Sequence, residues 1–312
     1  MLLVLSNSKD ETADYLCTRI AAERLPFVRL DSDSVARKSS LVARGGEIRI
    51  RLSGREFSPR QISNVWYRRP EAIRVPRGGD GGERRHAAEE WAAALEGFLS
   101  LIPRSRWMNH PASNASASLK LEQLVRARRL GFGVPRTLLT QNEGEVRKFW
   151  SECDGRVVVK PVSDGRIRGT RDRLVYTNVL QKRHLDSLED VRNCPTLFQE
   201  KIEKIADVRV TAVGDRLIAI SMVGSKRDEV DIRRENMSGV KYRELEVPGR
   251  TARKLVAMMR GYGLRFGAFD FGVRPDGSWV FFELNPNGQW AWLDEAANAR
   301  IAGRLIEEFF HG

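Results

Sequence analysis

A chain of 312 residues, of which 41% are hydrophobic and 30% charged, is long enough for about two domains with substantial cores. The net charge of +12 favours anionic partners such as nucleotides, acidic peptides or nucleic acid, although codon bias in a GC-rich genome would produce the same arginine excess. No apolar run approaches the length of a membrane span, and the apolar start is too short for a signal peptide, so no membrane partner is expected. Cys17, Cys153 and Cys194 lack the paired spacing of zinc or redox sites, which is typical of a protein in the reducing cytoplasm.

The first hundred residues have the pattern of an α/β unit. The predicted elements are strands at Leu2–Leu5, Phe27–Leu30 and Ile62–Arg68, a hairpin around Gly45-Gly46, and helices at 10–24 and 83–102. No Gly-x-Gly-x-x-Gly follows the first strand, which argues against a dinucleotide-binding fingerprint. The segment Trp66-Tyr67-Arg68-Arg69-Pro70 has two open interpretations: a stacking or phosphate-binding role, or a strand end with a core tryptophan and exposed arginines.

Two lysines in the middle of the chain lie in unusual surroundings. A predicted linker, Trp107–Ser118, leads into a helix at Ser118–Leu130 that carries Lys120 in its first turn. Lys160 lies inside the apolar strand Arg156–Val162. A lysine there is costly without an anion, unless the strand is at a sheet edge and the charge points to water.

The segment Ser163–Thr170 follows this strand, and its glycines and arginines predict a loop that can cover phosphates. Further on, Asp207 and Arg209 share one face of a strand, where an exposed ion pair is the simplest interpretation. The other predicted elements are strands at Leu138–Thr140, Thr196–Glu200, Asp207–Val213 and Leu217–Val223, a solvated charged loop at 226–233, and helices at Glu143–Ser151, Thr251–Tyr262 and Ala296–Phe310.

A hairpin near the end carries the strongest chemical signal. Asp276-Gly277, between two alternating apolar runs, predicts a two-residue turn. This register pairs Phe269 with Leu284, Asp270 with Glu283, Phe271 with Phe282 and Val273 with Val280, and places Asn285 two residues beyond Glu283. Two opposed carboxylates need a cation between them, and with an amide oxygen they form an all-oxygen set suited to magnesium. The alternative is a solvated polar face.

The order of the polar residues along the chain resembles the ATP-grasp superfamily. The residues that carry this resemblance are Lys120, Lys160, the segment Gln199-Glu200-Lys201-Ile202, an acid seven residues after Glu200 (Asp207), and Asp270 with Glu283-x-Asn285. Several stretches are similar to one branch, the ATP-grasp ribosomal peptide maturases, also described as microviridin-type or graspetide ligases. They are Trp66-Tyr67-Arg68-Arg69-Pro70, Asn109-His110-Pro111, Asp207-x-Arg209-Val210-Thr211, Asp231-Ile232-Arg233 and Asn285-Pro286-Asn287-Gly288-Gln289-Trp290. One departure is Ile232, where that branch has tryptophan.

The resemblance implies a mixed α/β fold: an ATP-grasp fold with an N-terminal pre-ATP-grasp domain at 1–108, a central lid subdomain at 109–198 and a C-terminal subdomain with the metal site at 199–312. It also implies ATP and Mg²⁺ as cofactors and a role for each site residue. The implied roles are phosphate binding by Lys120 and Lys160, an adenine hinge at Gln199, Glu200, Lys201 and Ile202, ribose binding by Asp207, metal binding by Asp270, Glu283 and Asn285, and contact with the γ-phosphate or acceptor carboxylate by Arg209 and Arg233.

The implied activity is ATP-dependent activation of Asp or Glu side chains in a ribosomal precursor peptide, followed by closure of ester or amide macrocycles. The same resemblance implies a homodimer, and the sequence itself predicts no nucleic-acid partner. Two alternatives remain open: a RimK-like ligase that adds amino acids to a carboxylate, and a non-enzymatic nucleic-acid binder. The second alternative rests on the net charge alone, because the sequence contains no recognisable nucleic-acid-binding module.

Overall fold

The computed structural model describes residues 1–76, 78–163, 165–167, 173–224, 239–298 and 300–312. Within these ranges the chain is a mixture of helices and sheets, as predicted. None of the described helices is both long and apolar enough to cross a membrane. Of the predicted segments, residues 225–238 lie outside the described ranges, including Arg233 and its Asp231-Ile232-Arg233 motif, as do Asp164 and residues 168–172 of the glycine-rich loop.

The N-terminal unit is built on a three-stranded parallel sheet in the order β2-β1-β6. The predicted β-α-β start is confirmed, and the Asp10 side chain accepts a hydrogen bond from Ala13 at the start of the first helix. A separate sheet, β3-β4-β5, contains the predicted hairpin and one further strand. The elements are β1 (Leu2–Ser6), α1 (Glu11–Ala22), β2 (Phe27–Asp31), α2 (Val35–Lys38), β3 (Ser39–Arg44), β4 (Glu47–Leu52), β5 (Arg55–Phe57), β6 (Asn64–Tyr67) and α3 (Gly81–Ser100).

The predicted linker at Trp107–Ser118 is wrong in part, because it contains helix α4 (Pro111–Ala117). The imidazole Nδ1 of His110 accepts a hydrogen bond from the Ala112 amide, and Pro111 occupies the first helical position, where no amide is needed. Helix α5 (Lys120–Arg129) follows almost at once, close to its predicted limits. His110 is therefore a helix cap, in a loop position as expected.

The central sheet has four strands in the order β11-β8-β12-β7, and all its pairings are antiparallel. Its members and neighbours are β7 (Thr137–Thr140), α6 (Glu143–Glu152), β8 (Val157–Lys160), β9 (Arg166–Ile167), β10 (Arg173–Leu174), β11 (Asn178–Leu180) and β12 (Thr196–Glu200). Because β8 pairs on both sides, Lys160 does not lie in an edge strand. The short β9–β10 hairpin lies in and beyond the segment predicted as a loop.

The C-terminal sheet is antiparallel, in the order β15-β14-β13-β16-β17. Its elements are β13 (Ala206–Val213), β14 (Arg216–Val223), β15 (Lys241–Leu245), α7 (Gly249–Tyr262), β16 (Phe266–Val273), β17 (Trp279–Asn285), α8 (Ala291–Ala297) and α9 (Ile301–Phe310). The prediction of one terminal helix at Ala296–Phe310 is wrong. Asn298 and Arg300 adopt φ angles of 46° and 56°, which break the helix, and the Asp294 carboxylate caps the start of α9.

Packing joins the units closely. One buried cluster combines the parallel sheet and α1 with Trp290 and α9, and another packs α5 and α7 against the C-terminal sheet. The three-domain division at 108 and 198 stays a prediction, and its second boundary falls inside β12. The clusters hold the N-terminal unit, α5 and the C-terminal hairpin in fixed positions around a common cleft.

Candidate active site

A cleft of about 2450 Å³ lies between the N-terminal unit, the central sheet and the C-terminal sheet. It brings together every predicted site residue except Arg233, which lies outside the described residues. The predicted residues that line it are Lys120, Lys160, Gln199, Glu200, Lys201, Ile202, Asp207, Arg209, Asp270, Glu283 and Asn285. Residues from five predicted strands and one helix thus converge, although they span 166 positions from Lys120 to Asn285 in the sequence.

The hairpin β16–β17 has the predicted register at the site but a different one near its turn. Asp270 pairs with Glu283, as predicted. Nearer the turn, Phe271 pairs with Phe281 and not with the predicted Phe282, and Val273 pairs with Trp279 and not with Val280. The loop closes through a hydrogen bond from the Arg274 amide to the Ser278 carbonyl, so it is longer than the predicted two-residue turn.

A β-bulge at Phe282 absorbs the difference between these two registers. Phe281 is fully buried in the core, whereas Phe282 and Glu283 both line the cleft. The ring of Phe282 lies above Gly272, where a Cβ atom would come within 2.7 Å of it. The bulge therefore adds an aromatic side chain to the site, which simple alternation along the strand cannot predict.

Arg209 is the cation that balances Asp270. Its Nε and Nη2 atoms donate to the two carboxylate oxygens at 2.8 and 2.7 Å, and its Nη1 atom donates to the Gln289 carbonyl at 3.1 Å. Arg209 lies directly across from Asp270 in neighbouring strands, which explains this two-point contact. The predicted ion pair between Asp207 and Arg209 is replaced by separate pairs on the same strand face.

Lys120 is the cation beside Glu283. Its ammonium lies 3.8 Å from the Glu283 Oε2 atom and donates to the carbonyls of Pro161 and Ser163 at 2.8 and 3.1 Å. The first turn of α5 thus contacts both the β16–β17 hairpin and the start of the glycine-rich loop.

Buried Gln123, on the same helix, fixes the hairpin to α5. Its side-chain oxygen accepts from the Leu284 amide and its nitrogen donates to the Leu284 carbonyl, both at 2.8 Å. These two bonds hold the backbone between Glu283 and Asn285 in place.

The turn after β17 is also held from several sides. The side-chain oxygen of Asn285 accepts from the Asn287 amide at 2.9 Å. Buried Asn109 donates to the carbonyls of Pro286 and Phe266 at 2.9 and 2.8 Å, and its oxygen accepts from the amides of Arg265 and Phe266. The Asn109 motif therefore shapes the site without lining the cleft itself.

Lys160 and Lys204 lie over the same aromatic ring. The Lys160 ammonium is 4.7 Å and the Lys204 ammonium 6.0 Å from the centre of Phe282. Lys204 also contacts both oxygens of Asp207 at 2.6 Å. Neither Phe282 nor Lys204 was among the predicted site residues. The position of Lys204, three residues before Asp207, is the signal that could have identified it.

The predicted hinge forms the connection from the central sheet to the C-terminal sheet. The side chain of Gln199 is buried and donates to the Thr137 hydroxyl at 3.1 Å, so it contributes to the sheet. Glu200 lies 3.4 Å from the Arg136 guanidinium, and the Lys201 amide donates to the Arg156 carbonyl at 2.8 Å. Ile202 is buried and supplies an apolar wall at this end of the cleft.

The arrangement suits an anionic ligand of high charge that is bound with a divalent cation. Asp270, Glu283 and Asn285 present oxygen atoms on one face of a rigid hairpin, which fits a hard cation such as magnesium. The side-chain oxygen of Asn285 keeps a second lone pair beyond its bond to Asn287. Among the described residues no cluster of three His, Cys, Asp or Glu side chains is placed to bind a metal ion, and the present set consists of two carboxylates and one amide.

Comparisons with known proteins agree with this arrangement. The family model described as the MvdD pre-ATP grasp domain matches residues 1–115, and no curated protein matches the sequence. The macrocyclase MdnC of Microcystis aeruginosa MRC, solved with its precursor peptide MdnA, is 27% identical with a TM-score of 0.87, over 100% of this chain and 99% of its own.

Two further solved structures are similar over nearly the whole chain. A RiPP-associated ATP-grasp ligase of Chryseobacterium gregarium, in complex with ADP and a leader and core peptide, is 26% identical with a TM-score of 0.85, over 98% of this chain and 95% of its own. The macrocyclase MdnB of Microcystis aeruginosa MRC is 27% identical with a TM-score of 0.81, over 100% and 99%. The chain therefore has an ATP-grasp fold with an N-terminal pre-ATP-grasp domain, and it is similar along its whole length to graspetide-type ATP-grasp ligases.

Proposed function

We propose that this protein matures a ribosomal precursor peptide, using ATP and Mg²⁺ to activate Asp or Glu side chains and to close microviridin-type ester or amide macrocycles. The observation that carries the proposal is the opposed pair Asp270–Glu283, each with its own protein cation, in a cleft shared by all parts of the chain. The whole-chain similarity to MdnC, a macrocyclase solved with its precursor peptide, supports the choice of a peptide as substrate.

The nucleotide would lie along the cleft from the hinge to the metal ligands. The backbone of Glu200 to Ile202 would contact the adenine, Asp207 the ribose, and Lys120 and Lys160 the phosphates. Lys120 is bonded to the carbonyls of Pro161 and Ser163, so phosphate binding would exchange at least one of these bonds. A polyphosphate beside these lysines would offset the cost of holding several ammonium groups in one cleft.

Asp270, Glu283 and Asn285 would hold the magnesium. Bound ATP supplies the phosphoryl group that converts a peptide carboxylate into an acyl phosphate, and magnesium neutralises its phosphate charge. Arg209 holds the Asp270 carboxylate in place through two hydrogen bonds, and its charge would stabilise the anionic acceptor as it meets the phosphoryl group. Arg233 keeps its proposed role toward the acceptor carboxylate as a prediction from the sequence.

The second reactant comes from the peptide itself. A Thr or Ser hydroxyl or a Lys amine attacks the acyl phosphate carbon, a proton is lost, and inorganic phosphate leaves. The net result is one ester or amide bond and the loss of one water from the peptide. The homodimer remains a prediction from the family resemblance, and the cytoplasmic location without nucleic-acid or membrane partners remains a prediction from the sequence.

Replacing Lys160 with methionine should weaken ATP binding roughly 30- to 150-fold, because a charged contact to phosphate is worth about 2–3 kcal/mol. Methionine preserves the chain length and the contact with the Phe282 ring, so the melting temperature without ligand should change little. The measurement is the ATP-dependent rise in melting temperature. Lys254→Met is a matched control, since Lys254 lies 5.4 Å from the Phe132 ring, away from the cleft. An equal ATP response in both variants would exclude a phosphate contact by Lys160.

The proposed activity is tested by the substrate dependence of ADP release. We expect ADP release to require the acidic precursor peptide encoded near the gene and not free amino acids. ADP release that requires a free amino acid, with that amino acid joined to the peptide, would favour the RimK-like ligase. Release that needs neither, together with tight binding to nucleic acid, would contradict both ligase assignments.

A further inference from the structure

Arg68 directly follows strand β6 of the N-terminal parallel sheet and lines the cleft. Its side chain is only 1% exposed. This burial excludes the exposed arginine of the strand-end interpretation, although the tryptophan beside it, Trp66, is a core residue as that interpretation expects. Burial lowers the pKa of the Arg68 guanidinium to about 9, which leaves the group charged at neutral pH. A buried charge is costly, so its partners indicate what it stabilises.

The partners of Arg68 connect the N-terminal unit to the turn after β17. Its Nη1 atom donates to the Asn287 carbonyl, and its Nε atom lies 3.6 Å from the Asp10 carboxylate. Asp10 is in turn held by the Ser6 hydroxyl at 2.6 Å. The neighbouring Arg69 donates to the same Asn287 carbonyl at 3.3 Å. Two guanidinium groups thus converge on one backbone oxygen, 218 and 219 residues away in sequence.

The amide of Asn287 contacts one of the proposed metal ligands. Its amide donates to the side-chain oxygen of Asn285 at 2.9 Å, and its own side-chain oxygen accepts from Asn114 at 3.3 Å. Arg68 therefore holds the carbonyl of the residue whose amide orients Asn285. A shift of this turn would therefore change the position of the Asn285 amide oxygen relative to the carboxylates of Asp270 and Glu283.

We propose that Arg68 is a positioning residue for the metal site: through Asn287, it fixes the orientation of Asn285 from the N-terminal unit. This inference rests on the proposed function, because it takes Asn285 as a metal ligand. The pre-ATP-grasp domain thus affects metal binding through Arg68. Arginine suits the task because its planar guanidinium can contact Asp10 and the Asn287 carbonyl together, which a single ammonium does less well.

The first experiment measures hydrogen–deuterium exchange in the segment 284–290 without any ligand. Arg68→Met should make this segment exchange roughly tenfold faster, because its carbonyl anchor is lost. Exchange in Arg68→Lys should be intermediate between this variant and wild type.

Arg106→Met is the matched control, since Arg106 donates to the Ile62 carbonyl at 2.8 Å and lies away from the cleft. If Arg68→Met destabilises the fold, the double variant Arg68→Met/Asp10→Asn removes the unpaired Asp10 charge. Unchanged exchange in 284–290 would overturn the proposal.

The second experiment titrates Mn²⁺, in place of Mg²⁺, into each variant saturated with ADP. Arg68→Met should bind Mn²⁺ roughly tenfold more weakly, as expected when the support of a metal ligand is lost. Faster exchange with unchanged Mn²⁺ affinity would overturn the positioning role and leave Arg68 as a structural contact. If the wild type itself binds no Mn²⁺ with ADP, the metal assignment fails and the proposal with it, while the exchange data still report on the Arg68 contact.

Discussion

Glu283→Gln is expected to abolish most magnesium-dependent ADP formation while the fold stays intact. The substitution keeps the size of the side chain but removes a negative charge that faces both Asp270 and the Lys120 ammonium. Loss of a charged ligand at the proposed metal site should lower the rate of ADP formation by about 100-fold or more, equivalent to about 2.7 kcal/mol. The measurement is peptide-dependent ADP release at several magnesium concentrations.

The control for this variant is Glu308→Gln. Glu308 pairs with Arg265 at 2.8 Å and is similarly half-buried, but it lies outside the cleft. It should retain the full rate. Circular dichroism of both variants checks that the fold is unchanged. Wild-type ADP formation by Glu283→Gln would remove Glu283 from the metal site.

Arg209→Met is expected to have a similarly large effect on activity and a measurable effect on stability. The arginine makes two charge-assisted hydrogen bonds to Asp270, and both side chains are largely removed from solvent. Its loss leaves the Asp270 and Glu283 carboxylates opposed without this cation, so the free energy of unfolding should fall by about 2 kcal/mol. Urea denaturation measures the change.

A double-mutant cycle measures the interaction energy between Arg209 and Asp270 separately from their contacts with other residues. Asp270→Asn removes the opposing charge, so the variant with both substitutions should be less destabilised than the sum of the single variants. Neither single variant should form ADP at more than about 1% of the wild-type rate. Strict additivity of the stability changes, with activity retained in Arg209→Met, would show that the observed pair has no role in the site.

Much of the fold and most of the site follow from local patterns in the sequence. The register predicted from the Asp276-Gly277 turn places Asp270 opposite Glu283, and this pairing holds because the bulge at Phe282 offsets a loop one residue longer than predicted. Both carboxylates line the cleft. The apolar surroundings of Lys160 indicate a buried strand, and its strand does pair on both sides, while the contact with an anion stays a prediction. The strands themselves are predictable because strand periodicity depends on near neighbours.

What could not be predicted depends on tertiary contacts or on small changes in backbone geometry. The bulge that brings Phe282 into the cleft shifts the register by one residue, which alternation alone cannot reveal. The break at Asn298 interrupts a continuous helical pattern, and helix α4 forms within a segment of polar turn-like composition. The contact from Arg68 to Asn287 joins distant parts of the chain and has no local signal.

Mass spectrometry of the cognate peptide after reaction with ATP and Mg²⁺ tests the central claim most directly. The proposed chemistry predicts a product lighter by one water for each linkage, with one ADP released for each. Mild base should restore the original mass if the links are esters and leave it unchanged if they are amides. A peptide that gains the mass of an added amino acid, or that stays unchanged while ATP is consumed, would contradict macrocycle formation by this protein.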